Sequence, residues 1–263
     1  MTGQTDTEAI DTAFSRLSHL ALARAEVFGL LAFAFFDPNE EFFVDQIING
    51  SYISEIHGYF QDLSNRRIPS NEAREAFAPL KAAQMELAQQ NKDQVLRDMK
   101  VEYARLFIGP GHAAVPPYET FYGGKTKGVA PLLMVSPEAL SVEAAYREAG
   151  VAMSSDLREP PDHFATECEF LYYLCKKESD CWAEDNNSEA LKWRRQQLAF
   201  IDGHLGRWSV QFCEDIETAS HHPFYRAIAR LARTIIQIEG SDSIDSENKP
   251  DVGKPRPENK TSE

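Results

Sequence analysis

Apolar residues along this chain recur at intervals of three and four, and no useful stretch alternates with a period of two. Such spacing gives each of a series of helices one apolar stripe and leaves no strand signal. The predicted fold class is therefore all-α, a single-domain helical bundle. Phe14, Leu17, Leu20, Ala21, Phe28 and Leu31 make one long face, and from Val27 to Phe36 the run is apolar nearly all round. That helix should lie deep in the bundle. Asp37-Pro38 stops it, because a residue before proline is pushed out of the helical region. Helices are expected at about 39–49, 51–63, 71–90 and 92–107, the last ended by Gly109-Pro110-Gly111. Ser136-Pro137-Glu138 supplies a serine cap with proline in the first turn and opens a helix to Gly150. A helix from Asp162 and others at about 188–206, 208–219 and 222–238 complete the bundle.

Two regions depart from this period. Ile108 to Val135 is rich in proline and glycine but also holds Tyr118, Phe121 and Tyr122. Disordered segments are poor in aromatics, so one long ordered loop is expected there. From Ser241 to Glu263 there are six acids, four bases, three prolines and two aliphatics, a composition expected to be disordered. The expected organisation is a flexible N-terminus over 1–12, a helical domain over 13–240 and an acidic tail over 241–263.

Charge and composition narrow the partners. A net charge of −14 argues against nucleic acid, since phosphate binding rests on an excess of Lys and Arg. An acidic surface favours basic partners instead. Cys168, Cys175, Cys181 and Cys213 do not make a disulfide framework at this length, and MTGQTDTEAI lacks the basic and apolar regions of a secretory signal. The longest apolar run, the ten residues Val27–Phe36, falls short of the ~20 that span a bilayer. A cytoplasmic protein with no integral membrane segment is expected.

Catalytic and metal signatures are sparse. None of the seven histidines has a glutamate three residues before it, as di-iron helical bundles require. His-Glu-x-x-His, Cys-x-x-Cys, the hydrolase elbow and the phosphate loop are all missing. Cys168 and Cys175, two turns apart on an apolar stripe, read as core packing. The chain thus reads as a binding protein rather than an enzyme, with no catalytic residue, metal or cofactor assigned.

Two clusters stand out. One is Tyr103-Ala104-Arg105-Leu106-Phe107, running into Pro116-Pro117-Tyr118-Glu119 and Tyr122; the other is Glu159-Pro160-Pro161-Asp162-His163, leading into Glu167 and the Cys168 helix. In the second, the proline pair stiffens the entry to a helix that Asp162 is placed to cap, with His163 near the helix start. Taken alone, these residues fit a good cap plus a surface histidine better than a binding site. Together, however, the clusters resemble the motifs of the TorD/DmsD family of redox-enzyme maturation chaperones, an aromatic-x-x-Leu-Phe motif and a Glu-Pro-x-Asp-His motif. The resemblance spans roughly Ala13 to Glu239. It implies an all-helical cytoplasmic chaperone that binds the twin-arginine signal peptide of a molybdopterin oxidoreductase and delays export until cofactor insertion.

On that reading Leu106, Phe107, Pro117 and Tyr118, with Tyr103, line an apolar groove for the peptide's hydrophobic core. Asp162 and Glu119 suit its arginine pair, and His163 donates to a peptide carbonyl. Two other classes stay open: a NarJ-like chaperone that recognises the folded enzyme subunit, and a helical metalloprotein. Self-association into a homodimer is also left open.

Overall fold

The computed structural model describes residues 3–38, 42–64, 70–109, 113–127, 136–153 and 159–247. Helix α1, Gly3–Phe35, runs through the middle of the fold and packs along α8, Phe164–Ala183. Its inward stripe is Ala21, Ala25, Val27, Phe28, Leu31 and Phe35, each at most 1% exposed. Small residues let the two helices approach closely: a Cβ added to Gly29 would lie 3.0 Å from the Tyr172 ring. The stretch Phe14–Phe35 is long and apolar enough to cross a membrane, more than the ten-residue run implied, but half of it is buried inside the fold.

Around this pair stand α2 (Phe42–Asn49), α3 (Ser51–Ser64), α4 (Ser70–Leu87) and α5 (Lys92–Tyr103). A π-helical turn, Ala104–Ile108, continues α5. Helices α6 (Glu119–Lys127) and α7 (Pro137–Glu148) precede α8, and α9 (Asn187–Phe200), α10 (Gly206–Ala219) and α11 (Pro223–Glu247) follow it. No strand occurs among the described residues, and the expected all-α class holds. The proline stop and the serine cap act as read: α1 ends at Phe35, and Ser136 Oγ accepts from Ala139 N at 2.9 Å. All four cysteines are free thiols.

Four expectations change. First, α6 lies within the expected long loop, because a residue distant in sequence caps its start, as shown below. Second, α11 runs past Gly240 to Glu247, into the expected disordered tail. A glycine weakens a helix without ending it, and no proline intervenes before Pro250. Residues 248–263 of that tail lie outside the described residues. Third, α1 starts at Gly3, earlier than the expected domain start at 13. Fourth, the chain does not break near Gly206 but runs from α9 into α10 through a second π turn, Ile201–Leu205. A Cβ on Gly206 would lie 2.7 Å from the Ile201 carbonyl oxygen, so the glycine makes room for that turn.

The core joins these elements through aromatic rings. Phe35 of α1 contacts Phe107 at 6.1 Å, Phe164 at 4.7 Å and Phe212 at 5.9 Å between ring centroids. Leu106 and Phe107 are therefore core, 0% and 4% exposed, and do not line an open groove. Their π turn is pinned from outside by Glu102, whose carboxylate accepts from Arg105 Nε at 2.8 Å, Ser220 Oγ at 2.9 Å and the His221 backbone. Burial pushes the Glu102 carboxyl up, but these hydrogen bonds outweigh it and hold it down at about 2.

A second, polar network crosses the bundle. Arg24 of α1 donates to Glu178 at 2.6 Å and lies 3.9 Å from Glu239. Glu178 also accepts from Gln197 at 2.8 Å and Trp182 at 3.1 Å, and Arg194 donates to Glu239 at 3.2 Å. These side chains tie α1, α8, α9 and α11 together.

Candidate functional site

The two sequence clusters meet at the junction of α6 and α8. Pro117, Tyr118 and Glu119 run antiparallel to Asp162, His163 and Phe164, with a single bridge between Tyr118 and His163. Phe164 N donates to Pro117 O at 2.9 Å, and Glu119 N donates to Asp162 O at 3.0 Å. Prolines at 116, 117, 160 and 161 hold both segments extended, and the short pairing satisfies the backbone N–H groups of Glu119 and Phe164.

Asp162 and His163 exchange their expected parts. Asp162 does not cap α8. Its buried carboxylate accepts from Thr120 N at 3.0 Å and from the Thr120 hydroxyl, so it caps α6, 42 residues upstream. His163 is the N-cap of α8, with Nδ1 accepting from Ala165 N at 3.1 Å. Its ring is 1% exposed, stacked on Phe36 and met at its edge by Tyr118. Burial lowers its pKa to about 3, so the ring stays neutral. The surface histidine of the sequence reading is thus an internal joint. Tyr103 is buried beside Phe107, Pro117 is buried, and Tyr118 is half-buried.

Glu119 leads outward from this joint. It is 6% exposed, and its Oε2 lies 3.0 Å from His204 Nδ1. His204 sits in the second π turn, whose extra residue re-aims the side chain toward α6. A cavity of about 340 Å³ opens here between α6, α7 and α10, lined by Glu119, Tyr122, Glu138, His204, Arg207 and Trp208, among others. Behind Trp208 lies Glu167, with no exposed surface and both oxygens shared by the indole N–H at 3.2 and 3.3 Å. Burial, and then the charge of Glu119, push the Glu167 carboxyl well above the ordinary range.

Sequence reasoning placed Glu119 in the site, set Tyr122 and Glu167 at the ends of its two clusters without a role, and missed His204 and Trp208. For Glu167 a signal existed, since it is an acid beside the apolar stripe of Phe164, Cys168, Leu171 and Cys175. His204 and Trp208 had none, because their meeting with α6 depends on the π turn.

The raised carboxyl has a testable consequence. A group whose folded pKa exceeds its unfolded value stabilises fully below the unfolded value, near 4.5, and loses that contribution as pH rises. Between the two values the loss is about 1.4 kcal/mol per pH unit. Glu167→Gln keeps an acceptor for Trp208 and carries no proton to lose. It should melt above the wild type at pH 8, with the gap closing toward pH 5 in calorimetric scans. Equal melting at both pH values would mean that Glu167 ionises as easily folded as unfolded.

The family profile described as nitrate reductase delta subunit matches residues 69–214, a little over half of the 263 residues. The match takes in both motifs and the cavity. Chaperone protein TorD of Vibrio cholerae is 25% identical over 214 residues, covering 81% of this chain and 89% of its own. Chaperone protein TorD of Shewanella pealeana is 24% identical over 203 residues, with coverages of 74% and 85%. A solved structure of a candidate redox enzyme maturation protein from Archaeoglobus fulgidus is 20% identical, with a TM-score of 0.44 over 81% of this chain and 93% of that chain.

Proposed function

We propose a function from the premise that this chain belongs to the nitrate reductase delta subunit family, the family of the TorD/DmsD chaperones. It is a maturation chaperone of a redox enzyme. Its client is the precursor of a molybdopterin-dependent oxidoreductase, whose twin-arginine signal peptide it binds in the cytoplasm, delaying export until the cofactor is inserted. The observation that carries this reading is the pairing of the two motif segments into one joint that opens on an acidic, aromatic-walled cavity.

Within this reading Glu119 and Tyr118 touch the peptide. Asp162 and His163 act as positioning residues that hold the α6 start against α8. Tyr103, Leu106, Phe107 and Pro117 form the frame behind them. The net charge of −14 speeds capture of a basic segment.

The family's name, that of an enzyme subunit, motivates a second reading, in which this protein binds the folded enzyme rather than its signal peptide. Calorimetric titration separates the two. The full chain should bind a synthetic twin-arginine signal peptide, and removing the signal sequence from the precursor should weaken binding at least about tenfold, or ~1.4 kcal/mol. Undiminished binding of the signal-less enzyme, with no binding of the peptide, would establish the second reading instead.

A further inference from the structure

A second cavity, of about 590 Å³, lies between α4 and α11 and shares no lining residue with the one at the motif joint. Its two walls carry opposite charge. On α4, Glu72 and Glu75 stand exposed, one turn apart, and form no ion pair or hydrogen bond with any described residue. On α11, Arg230 and Arg233 form the other wall. Glu217 of α10, outside the lining, accepts from Arg230 Nε at 2.9 Å and from Arg233 Nε at 3.1 Å. Those bonds splint both guanidiniums, yet the terminal nitrogens of Arg230 have no acceptor among the described residues. Between the walls the lining is apolar, with Ala76 7% and Ile238 5% exposed.

This geometry selects the kind of ligand. Small-molecule sites enclose most of their ligand, which a cavity walled by exposed side chains does not do. Strand addition needs an open sheet edge, whereas both walls here are helices whose backbone groups are bonded internally. A trough between two helices takes a third helix. Its α11 side runs from Arg230 to Ser241, about 16 Å at 1.5 Å per residue, or three turns. An apolar floor with a charged edge on each side is also how coiled-coil helices choose their partners.

We infer that this trough is a docking surface for an amphipathic partner helix whose apolar stripe lies on Ala76 and Ile238. One edge of that helix is basic and meets Glu72 and Glu75; the other is acidic and meets Arg230 and Arg233. The inference is independent of the signal-peptide reading, since the trough uses neither motif and its partner needs no arginine pair. The net charge of −14 alone would favour a helix that is basic on both edges. The two arginines reject one of those edges, so the mixed-charge helix is the discriminating feature.

The test is calorimetric titration of the full chain with three peptides of roughly 18 residues, long enough to hold a helix. All share a leucine stripe. The first carries lysines on one edge and glutamates on the other, the second lysines on both, and the third glutamates on both. The mixed peptide should bind at least about fivefold more tightly than either of the others, each of which sets one edge against a like charge. Glu72→Lys with Glu75→Lys makes both walls basic, at exposed positions that lose no contact, and should pass the preference to the all-glutamate peptide. Should circular dichroism show that variant unfolded, Glu72→Gln with Glu75→Gln decides instead, and should erase the margin of the mixed peptide over the all-glutamate one. A wild type that prefers the all-lysine peptide would mean that net charge governs the binding. A preference unmoved by the substitutions would mean that the peptide lies elsewhere. Either result, or no saturable binding of the mixed peptide, overturns the docking surface.

Discussion

Replacing Arg24 with methionine is expected to lower folding stability by about 3–5 kcal/mol, the cost of leaving a buried acid without its counter-charge. Arg24 is 5% exposed and Glu178 4%, so water cannot take over the lost contact. Burial works against the charge on Arg24, yet Glu178 and Glu239 hold it protonated. At roughly 2–4 °C per kcal/mol the melting midpoint should fall by ~6–20 °C. The double substitution Arg24→Met with Glu178→Met should recover part of that loss, because it removes the stranded charge of Glu178, although Gln197 and Trp182 then lose their acceptor. A double variant no more stable than the single would place the effect in packing rather than charge.

The second large effect concerns the Leu-Phe motif. Phe107 packs against Phe35, Tyr103 at 5.0 Å, Phe212 and Tyr225 at 5.9 Å, where truncation leaves a cavity among rings. Phe107→Ala should cost about 3–5 kcal/mol, read as a lower urea midpoint at an unchanged m-value. Had Phe107 lined an open groove, the same change would spare stability and abolish only peptide binding. The two readings of the motif therefore differ in which measurement moves.

That contrast shows where the sequence was legible. Helix stops and caps such as Asp37-Pro38 and Ser136 act on their own neighbours, so local chemistry reveals them. The apolar period showed that Leu106 and Phe107 were in contact with something. Whether that contact was core or ligand depended on Phe35, Phe212 and Tyr225, which arrive from α1, α10 and α11. Helix α6 was hidden for the same reason. Gly123-Gly124 weakens its local propensity, and its cap is Asp162, far along the chain. Of the candidate site, Glu119 could be read from the motif, whereas its partner His204 required a helix with one extra residue in a turn.

The packing of α1 on α8 also sets a timetable. Roughly 150 residues separate Phe35 from the end of α8, and synthesis at ~5–20 residues per second leaves about 7–30 s between the two. Over that interval a helix with the length and composition of a membrane span has no α8 to cover it. Of the two acids that answer its buried arginine, Glu178 arrives with α8 and Glu239 later still. The nascent chain therefore carries an apolar helix that other apolar surfaces can engage before its own fold can claim it.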